Sequence, residues 1–564
     1  MSQTFARLVF LSTLLFFGAF FLWPILQILR GGFIDANGAP TLAYLGSLLT
    51  DPIYLGGLAN SFLLAATTTL LALLVALPLA FVADRFRFPA KGFLGSLILV
   101  PMILPPFVGA IGIKQILGQY GALNACLIDL GLRPPGWTFD WLGHNQFLGI
   151  ALVNAFSLYP IIYLNAVAAL ANIDPALEEA AENLGCTGFR KFRRVTLPLI
   201  KSGLFAGGTI VFIWAFTDLG VALVFDYARV TSVQIYDGLK DIGGNPFPYA
   251  LVAVMLAASV LFYALGKGLF GRDAYAMMAK ATSTGGPRTL PRGRAWLCTA
   301  LFGGVTLVAI LPHLGVVLVA FSSDWYATVL PRSFHLHNFE AALGHSLTVP
   351  AIANSLKYAS ISTVIDLIVG VLLAYVIVRS KIAGRQVLDF LAMLPLAVPG
   401  LVLAFGYIAM SQDGKFFSFL NPVRNPTILL IVAYSVRRLP YVVRSAVAGF
   451  QQTSETLEEA AQNLGCPPLK AVVRITLPLI TANLIAGGLL AFAFAMLEVS
   501  DSLILAQKQL YYPITKAIYE LFQLLGDGKV IASALGVWAM VFLGIVIAGM
   551  TVLLGRKLGA IFRM

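Results

Sequence analysis

Uncharged apolar stretches recur along the whole chain, each about 20 residues long, which is what an α-helix needs to cross a bilayer core. Few folds accept such stretches. In lipid every backbone N–H and C=O must find its partner inside the structure, and helices do so unaided. Composition agrees: 59% of the 564 residues are hydrophobic and 11% charged, where soluble domains carry roughly 25%. Apolar runs between charged or Pro/Gly-rich breaks predict about twelve spans. They fall near 8–29, 58–83, 93–113, 147–170, 201–225, 249–270, 296–321, 353–378, 387–410, 427–449, 481–506 and 531–554. The chain therefore reads as an all-α polytopic membrane protein. Its net charge of +12 does not call for nucleic acid, because the basic residues sit in short loops between spans. The first stretch is too long for a signal-peptide core and lacks a small-x-small cleavage site, so it reads as a span. Cys126, Cys186, Cys298 and Cys466 form no CxxC pair, and no disulfide framework or metal spacing is expected.

Charge sets the expected topology. Arg85, Arg87 and Lys91 share a side with Arg190, Lys191, Arg193 and Arg194. Arg272, Lys280, Arg288, Arg292 and Arg294 fall on that side, as do Arg379, Lys381, Arg385 and the tail's Arg556, Lys557 and Arg563. The positive-inside rule makes this side cytoplasmic, with both termini. The Gly/Ser/Thr/Arg-rich stretch 271–295 reads as a cytoplasmic linker between two six-span halves, 1–270 and 296–564. Six spans return the chain to its starting side, so the halves are parallel repeats. Asn60-Ser61 matches Asn354-Ser355, Arg85 matches Arg379, and Pro101 and Pro105 match Pro395 and Pro399, all at one offset. Beyond an outer loop that is longer in the first half, a second offset aligns Pro160 with Pro440, Ala206-Gly207-Gly208 with Ala486-Gly487-Gly488, and Asp218 with Glu498.

The most specific feature is a polar segment that occurs twice. Glu178-Glu179-Ala180-Ala181-Glu182-Asn183-Leu184-Gly185 leads to Thr196-Leu197-Pro198-Leu199-Ile200. Glu458-Glu459-Ala460-Ala461-Gln462-Asn463-Leu464-Gly465 leads to Thr476-Leu477-Pro478-Leu479-Ile480. Asp174 and Ser454 are candidate N-caps, with Pro175 at the first helical position of the first copy. The Ala pair keeps one helix face low, and the glycine permits a sharp turn. The segment predicts a short helix-turn-helix outside the bilayer, suited to passing force to a partner. Glu-Ala-Ala, three residues, Gly, nine residues, an aliphatic, one residue and Leu-Pro resembles the signature loop of permease subunits of bacterial ABC importers. Ile475 fits the aliphatic position and Val195 departs mildly. Thr187-Gly188 against Pro467-Pro468 suggests two similar but non-identical docking sites.

That resemblance spans essentially both halves and implies the type I ABC importer permease fold. It further implies that each loop seats a coupling helix on a cytoplasmic ATPase. The coupling set is then Glu178, Glu179, Ala180, Ala181 and Gly185, with Glu458, Glu459, Ala460, Ala461 and Gly465. The fused twelve-span layout and the stretch Arg437-Arg438-Leu439-Pro440-Tyr441-Val442-Val443-Arg444-Ser445 resemble the ferric iron and thiamine branch, iron-type permeases in particular. Aminoethylphosphonate permeases share the fused layout, and polyamine, sulfate and molybdate permeases have similar loops. The chain holds no G-x-x-x-x-G-K-[ST] loop, so it is expected to be no enzyme and to hold no cofactor of its own. ATP and Mg would be bound by two copies of a partner ATPase. No outer loop is long enough for a solute-binding domain, which implies a separate periplasmic or lipid-anchored binding protein. A secondary transporter with parallel repeats is the rival from another class, but it has no use for paired docking loops. An intramembrane enzyme would need a His, Ser or carboxylate constellation that the spans do not offer.

Ionisable residues within spans are costly unless paired or wetted, so they are the candidates for the pathway. Asp218 and Glu498 read either as walls of a translocation cavity suited to a cation, or as structural caps near the outer interface. Arg437 and Arg438 read either as a cationic cavity wall for an anionic solute, or as partners of Glu498, Asp501 or Asp366. Pairing is favoured, since an unpaired Arg beside Pro440 is expensive. Pro105-Pro106 and Pro399-Gly400 break the third span of each half and are candidate gate elements. His335 and His337 read as a solvated pair rather than a metal site, since no carboxylate or thiol cluster joins them.

Overall fold

Capping and helix length set the architecture. The computed structural model describes residues 3–35, 37–239, 245–278 and 288–554. Numbering the main helices in chain order, α1 is Phe5–Phe33 and α2 is Pro52–Arg85. Asp51 caps α2 by accepting from the Ile53 N–H at 2.8 Å, Pro52 opens it and Arg85 closes it. Its 34 residues span about 50 Å against ~30 Å of hydrocarbon, so its Arg85 end stands clear of the bilayer core. Next come α3 (Lys91–Leu97), α4 (Pro106–Leu117), α5 (Gln146–Ala171), α6 (Pro175–Asn183), α7 (Leu197–Phe216) and α8 (Phe247–Met278). The second repeat supplies α9 (Arg292–Phe321), α10 (Thr348–Arg379), α11 (Arg385–Met393), α12 (Gly400–Met410), α13 (Thr427–Gln452), α14 (Glu455–Asn463), α15 (Thr481–Met496) and α16 (Gly528–Leu554). Among the described residues the strand content of the named ladders is one parallel pair, β1 (Phe86–Arg87) with β2 (Arg288–Thr289).

Among the described residues eight helices are long and apolar enough to cross a membrane, and up to eleven if each of three bent pairs is one span. The twelfth expected span is α13. Its three arginines, Arg437, Arg438 and Arg444, remove it from any count made on apolarity. Both third spans are broken: Lys91–Met102 meets Pro106–Asp129 at 100°, and Arg385–Leu396 meets Gly400–Met410 at 101°. The prolines at these elbows lack the N–H that would continue the helix. Two expected spans end early. The stretches expected at 201–225 and 481–506 leave the helix after Phe216 and Met496, and short helices Gly220–Val224 and Ser500–Leu505 follow. Asp218 and Glu498 therefore sit at helix breaks rather than within continuous spans.

The first span of each repeat packs on the broken third span of the other. Where α1 crosses α12, a Cβ on Gly406 would press on Pro24, and the Tyr407 hydroxyl donates to the Phe20 carbonyl at 2.8 Å. Pro24, four residues on, has no N–H to give that carbonyl an α-helical bond, and Phe20 lies in a π-helical turn, Gly18–Leu22. Where α9 crosses α4, Gly112 meets the backbone of Pro312 and Val316, and Gly315 meets that of Gly112. Small residues let these backbones approach as larger ones would not. The stretch expected as linker, 271–295, is narrower in the fold: α8 continues to Met278 and α9 begins at Arg292. Lys280, Arg556, Lys557 and Arg563 lie outside the described residues.

Candidate functional site: twin surface loops and a shared cavity

The two repeated loops have one construction. In the first, Asp174 accepts from the Ala176 N–H at 3.0 Å to start α6. In the second, Ser454 accepts from the Thr456 N–H at 3.3 Å to start α14. Each short helix ends in a glycine with positive φ, Gly185 at 75° and Gly465 at 85°. The N–H of the following cysteine then closes back onto the Ala181 or Ala461 carbonyl, at 2.9 and 3.0 Å. Any side chain at those glycines would be strained whatever space surrounds it. A π-helical turn follows in each copy, Phe192–Thr196 and Val472–Thr476.

The first glutamate of each motif turns inward. Glu178 is buried and accepts from the Thr196 hydroxyl at 2.7 Å and from Arg85, at the end of α2, at 2.8 Å. Glu458 repeats this with Thr476 at 2.7 Å and Arg379, at the end of α10, at 3.3 Å. These charge-assisted bonds fix each surface helix to two spans. Glu178, Ala181 and Glu458 are thus internal, while Glu179, Ala180, Gly185, Glu459, Ala460 and Gly465 are exposed. Ala461 is intermediate. The outward face also carries apolar knobs that sequence reasoning passed over: Leu184 at 88% exposure, matched by Leu464 at 89%, with Phe189 matched by Leu469. Their signal was the Leu that precedes Gly in both copies. The bracing Thr and Arg pairs were visible as matches but had no assigned role.

One contact is peculiar to the first loop. Lys191 Nζ lies 2.7 Å from Glu182 Oε1, and Arg288 on β2 lies 3.4 Å from the same atom. The hydrogen bond and charge of Lys191, with Arg288 adding to them, hold the Glu182 carboxyl below its ordinary value. Gln462 stands at the matching position of the second loop.

At the other end of α7 and α15 lies a cavity of about 180 Å³ shared by both repeats. Its walls include both elbows, with Pro101, Pro105, Pro395 and Pro399, and Asn154, Ser157, Trp214 and Asp218 from the first repeat. Arg437, Arg438, Tyr441, Phe494 and Glu498 come from the second. All four pathway candidates, Asp218, Glu498, Arg437 and Arg438, therefore meet in one place. The arginines are paired. Arg437 Nη1 donates to Glu498 Oε1 at 2.6 Å and lies 3.3 Å from Asp501 Oδ2, while Arg438 donates to Glu498 Oε2 and to the Phe494 carbonyl. Asp366 instead accepts from Ser435 at 2.5 Å. Asp218 takes the N–H groups of Gly220, Val221 and Ala222, with the Asn154 amide 3.4 Å away. Asn154 had no sequence signal, because its counterpart in the second repeat is Tyr434.

Two further matches work structurally. Ser61 and Ser355 accept the N–H groups that open the short helices Thr231–Gly238 and Ile514–Gln523, at 2.8 and 2.7 Å. Neither short helix was expected from sequence. His335 and His337 are loop neighbours, and His337 lies 3.8 Å from Glu340. No group of three or more metal-ligating side chains occurs among the described residues.

Comparison with known proteins accounts for the duplication. A family model described as a binding-protein-dependent transport system inner membrane component matches residues 76–273 and again 366–559. The chain is 27% identical over 512 residues to a putative ferric transport system permease protein of Haemophilus influenzae, covering 88% of this chain and 77% of that one. It is 27% identical over 507 residues to the ferric transport system permease protein of Actinobacillus pleuropneumoniae, covering 87% and 70%. A probable molybdenum ABC transporter permease protein of Haloferax volcanii is 31% identical over 258 residues, 45% of this chain and 89% of that protein. Among solved structures, a bacterial ABC transporter involved in the import of the acidic polysaccharide alginate gives a TM-score of 0.36 at 18% identity, covering 48% of this chain and 99% of that one. Matched twice over by the same family model, the chain belongs to the inner membrane components of binding-protein-dependent transport systems.

Proposed function

We propose that this permease carries ferric iron inward, driven by two cytoplasmic ATPase subunits docked on its twin loops and supplied by a separate ferric-binding protein. The observation that carries the drive mechanism is the pair of braced surface helices with exposed Leu184 and Leu464. Each offers an apolar knob and a low Ala face to a partner's cleft, and its buried glutamate ties it to the spans behind. From Thr196, α7 runs for 20 residues, about 30 Å, to the turn that holds Asp218. Motion imposed on the loop reaches the cavity along one helix. In the second repeat α15 leads likewise to Glu498, beyond a 75° bend.

Alternating access then follows. Closure of the ATPases on ATP draws the loops together and rocks the two repeats, the cavity opens outward to take solute, and hydrolysis restores the inward state. The loops, the linker and both termini lie in the cytoplasm on this reading. Iron as cargo is supported by two relatives named for ferric transport that align with most of the chain. An oxyanion cargo is less well supported, because the cavity's arginines are neutralised by Glu498 and Asp501.

The test is uptake of radioactive ferric iron by proteoliposomes holding the complete complex, with the loaded binding protein outside and ATP inside. ATP-dependent accumulation is expected. A cognate binding protein that does not hold ferric iron would remove the cargo and leave the importer. A permease that purifies without any ATPase and still transports would remove the drive mechanism.

A further inference from the structure

Two matching carboxylates line the cavity in different company. Glu498 is 5% exposed and enclosed by Arg437 and Arg438, and Asp501 shares Arg437. Two cations and two anions are thereby mutually committed. The first repeat lacks this whole set: Ser157 and Leu158 stand for the arginines, Val221 for Asp501 and Ala72 for Asp366. The elbows follow suit. Arg437 lies against Gly400, where a Cβ would collide with its guanidinium, and the first repeat has Pro106 at the matching position. Asp218 thus has no ion-pair partner among the described residues, only backbone N–H groups and a long contact from Asn154.

Resting on the reading that this cavity lies on the transport path, we propose that Asp218, backed by Asn154 and Ser157, is the contact point for a hard, oxygen-liganded cation, and that Glu498 braces the wall without touching cargo. The polar groups beside Asp218 are the Asn154 amide, whose Nδ2 faces the carboxylate, and the Ser157 hydroxyl, and the cavity walls contain neither imidazole nor thiolate. Oxygen donors favour hard cations over soft ones. One carboxylate in place of a closed ligand set suits passage, because a path must bind well enough to admit an ion and weakly enough to release it. The path then runs nearer the first repeat, although the charged side chains are concentrated in the second.

Terbium(III) is a hard trivalent probe whose emission can be excited through Trp214 in the cavity wall. With the full complex in nanodiscs, sensitised emission is expected for the native protein and for the exposed control Asp413→Asn. Trp214→Phe should dim the emission, and Asp218→Asn should weaken terbium binding by at least about tenfold, the loss of one strong charged contact. Ser157→Arg, which installs the second repeat's charge beside Asp218, should do the same, and Asp218→Asn, whose amide oxygen can still accept the backbone N–H groups, should melt closer to the native complex than Glu498→Gln does. Unchanged terbium binding in Asp218→Asn would overturn the proposal. So would a melting loss in Asp218→Asn as large as that of Glu498→Gln. The cargo assignment fails separately: a complex that imports no ferric iron, yet binds terbium through Asp218, keeps the contact point. Iron import that is intact in Asp218→Asn discards the contact point and keeps the cargo.

Discussion

At the looped end the two repeats agree almost atom for atom, and at the cavity end they part. Glu178 and Glu458 each hold a threonine hydroxyl at 2.7 Å and an arginine from the preceding span. Asp218 and Glu498, one helix further on, share only their position in the fold. The likeness is what two copies of one partner would demand. The difference lies in the cavity, where on the proposed reading a single cargo passes and need not meet the two repeats alike.

The first way to break this comparison is at the loops. Gly185→Asp and Gly465→Asp each force a non-glycine residue into positive φ on the outward face, and either one alone should bring ATP-driven uptake to background. Normal uptake in one of them would make the docking sites unequal. The next is Glu498→Gln, which leaves two buried arginines short of their counter-charge. Breaking a buried pair from one side costs about 3–5 kcal/mol, so the purified complex should melt well below the native one. A melting temperature within error of native would mean that the arginines have other partners.

Thr196→Val and Thr476→Val each take a donor from a buried carboxylate, a loss of about 1–3 kcal/mol. Their melting shifts should be equal, and a clear inequality would contradict the shared brace. The smallest effect belongs to Glu182, which only the first loop has. Its carboxyl titrates below the ordinary 4.5 because of Lys191 and Arg288, so the unfolded loop takes the proton more readily. The brace is then fully present above the ordinary value and is lost as pH falls through the lowered one. Glu182→Gln should leave neutral-pH uptake unchanged and flatten the acid limb of the melting profile slightly. A large neutral-pH loss would show that the β2 contact matters more than an exposed ion pair should.

Much of this was legible in the sequence. Span length revealed the class, and the doubled segment revealed the family, because both are local patterns under strong physical constraint. The pairing of Arg437 and Arg438 with Glu498 followed from the cost of burying charge. Three things could not be read. The spans expected to run to 225 and 506 stop at Phe216 and Met496, because hydropathy continues through turns whose breaks are set by a carboxylate taking backbone N–H groups. The short helices Thr231–Gly238 and Ile514–Gln523 depend on Ser61 and Ser355, far away in sequence. The inward turn of Glu178 needs Arg85 and Thr196 to be neighbours, which only the folded chain makes them.

The crossing of α1 with α12 has a consequence for how the chain is made. The hydroxyl that completes Phe20's carbonyl belongs to a residue 387 positions later. A helix that leaves the ribosome first therefore gains this tie only after most of the protein has followed it. Such long-range contacts slow assembly. For this permease the first span in is among the last to be fastened, and a chain cut short before Tyr407 would leave α1 without its lock.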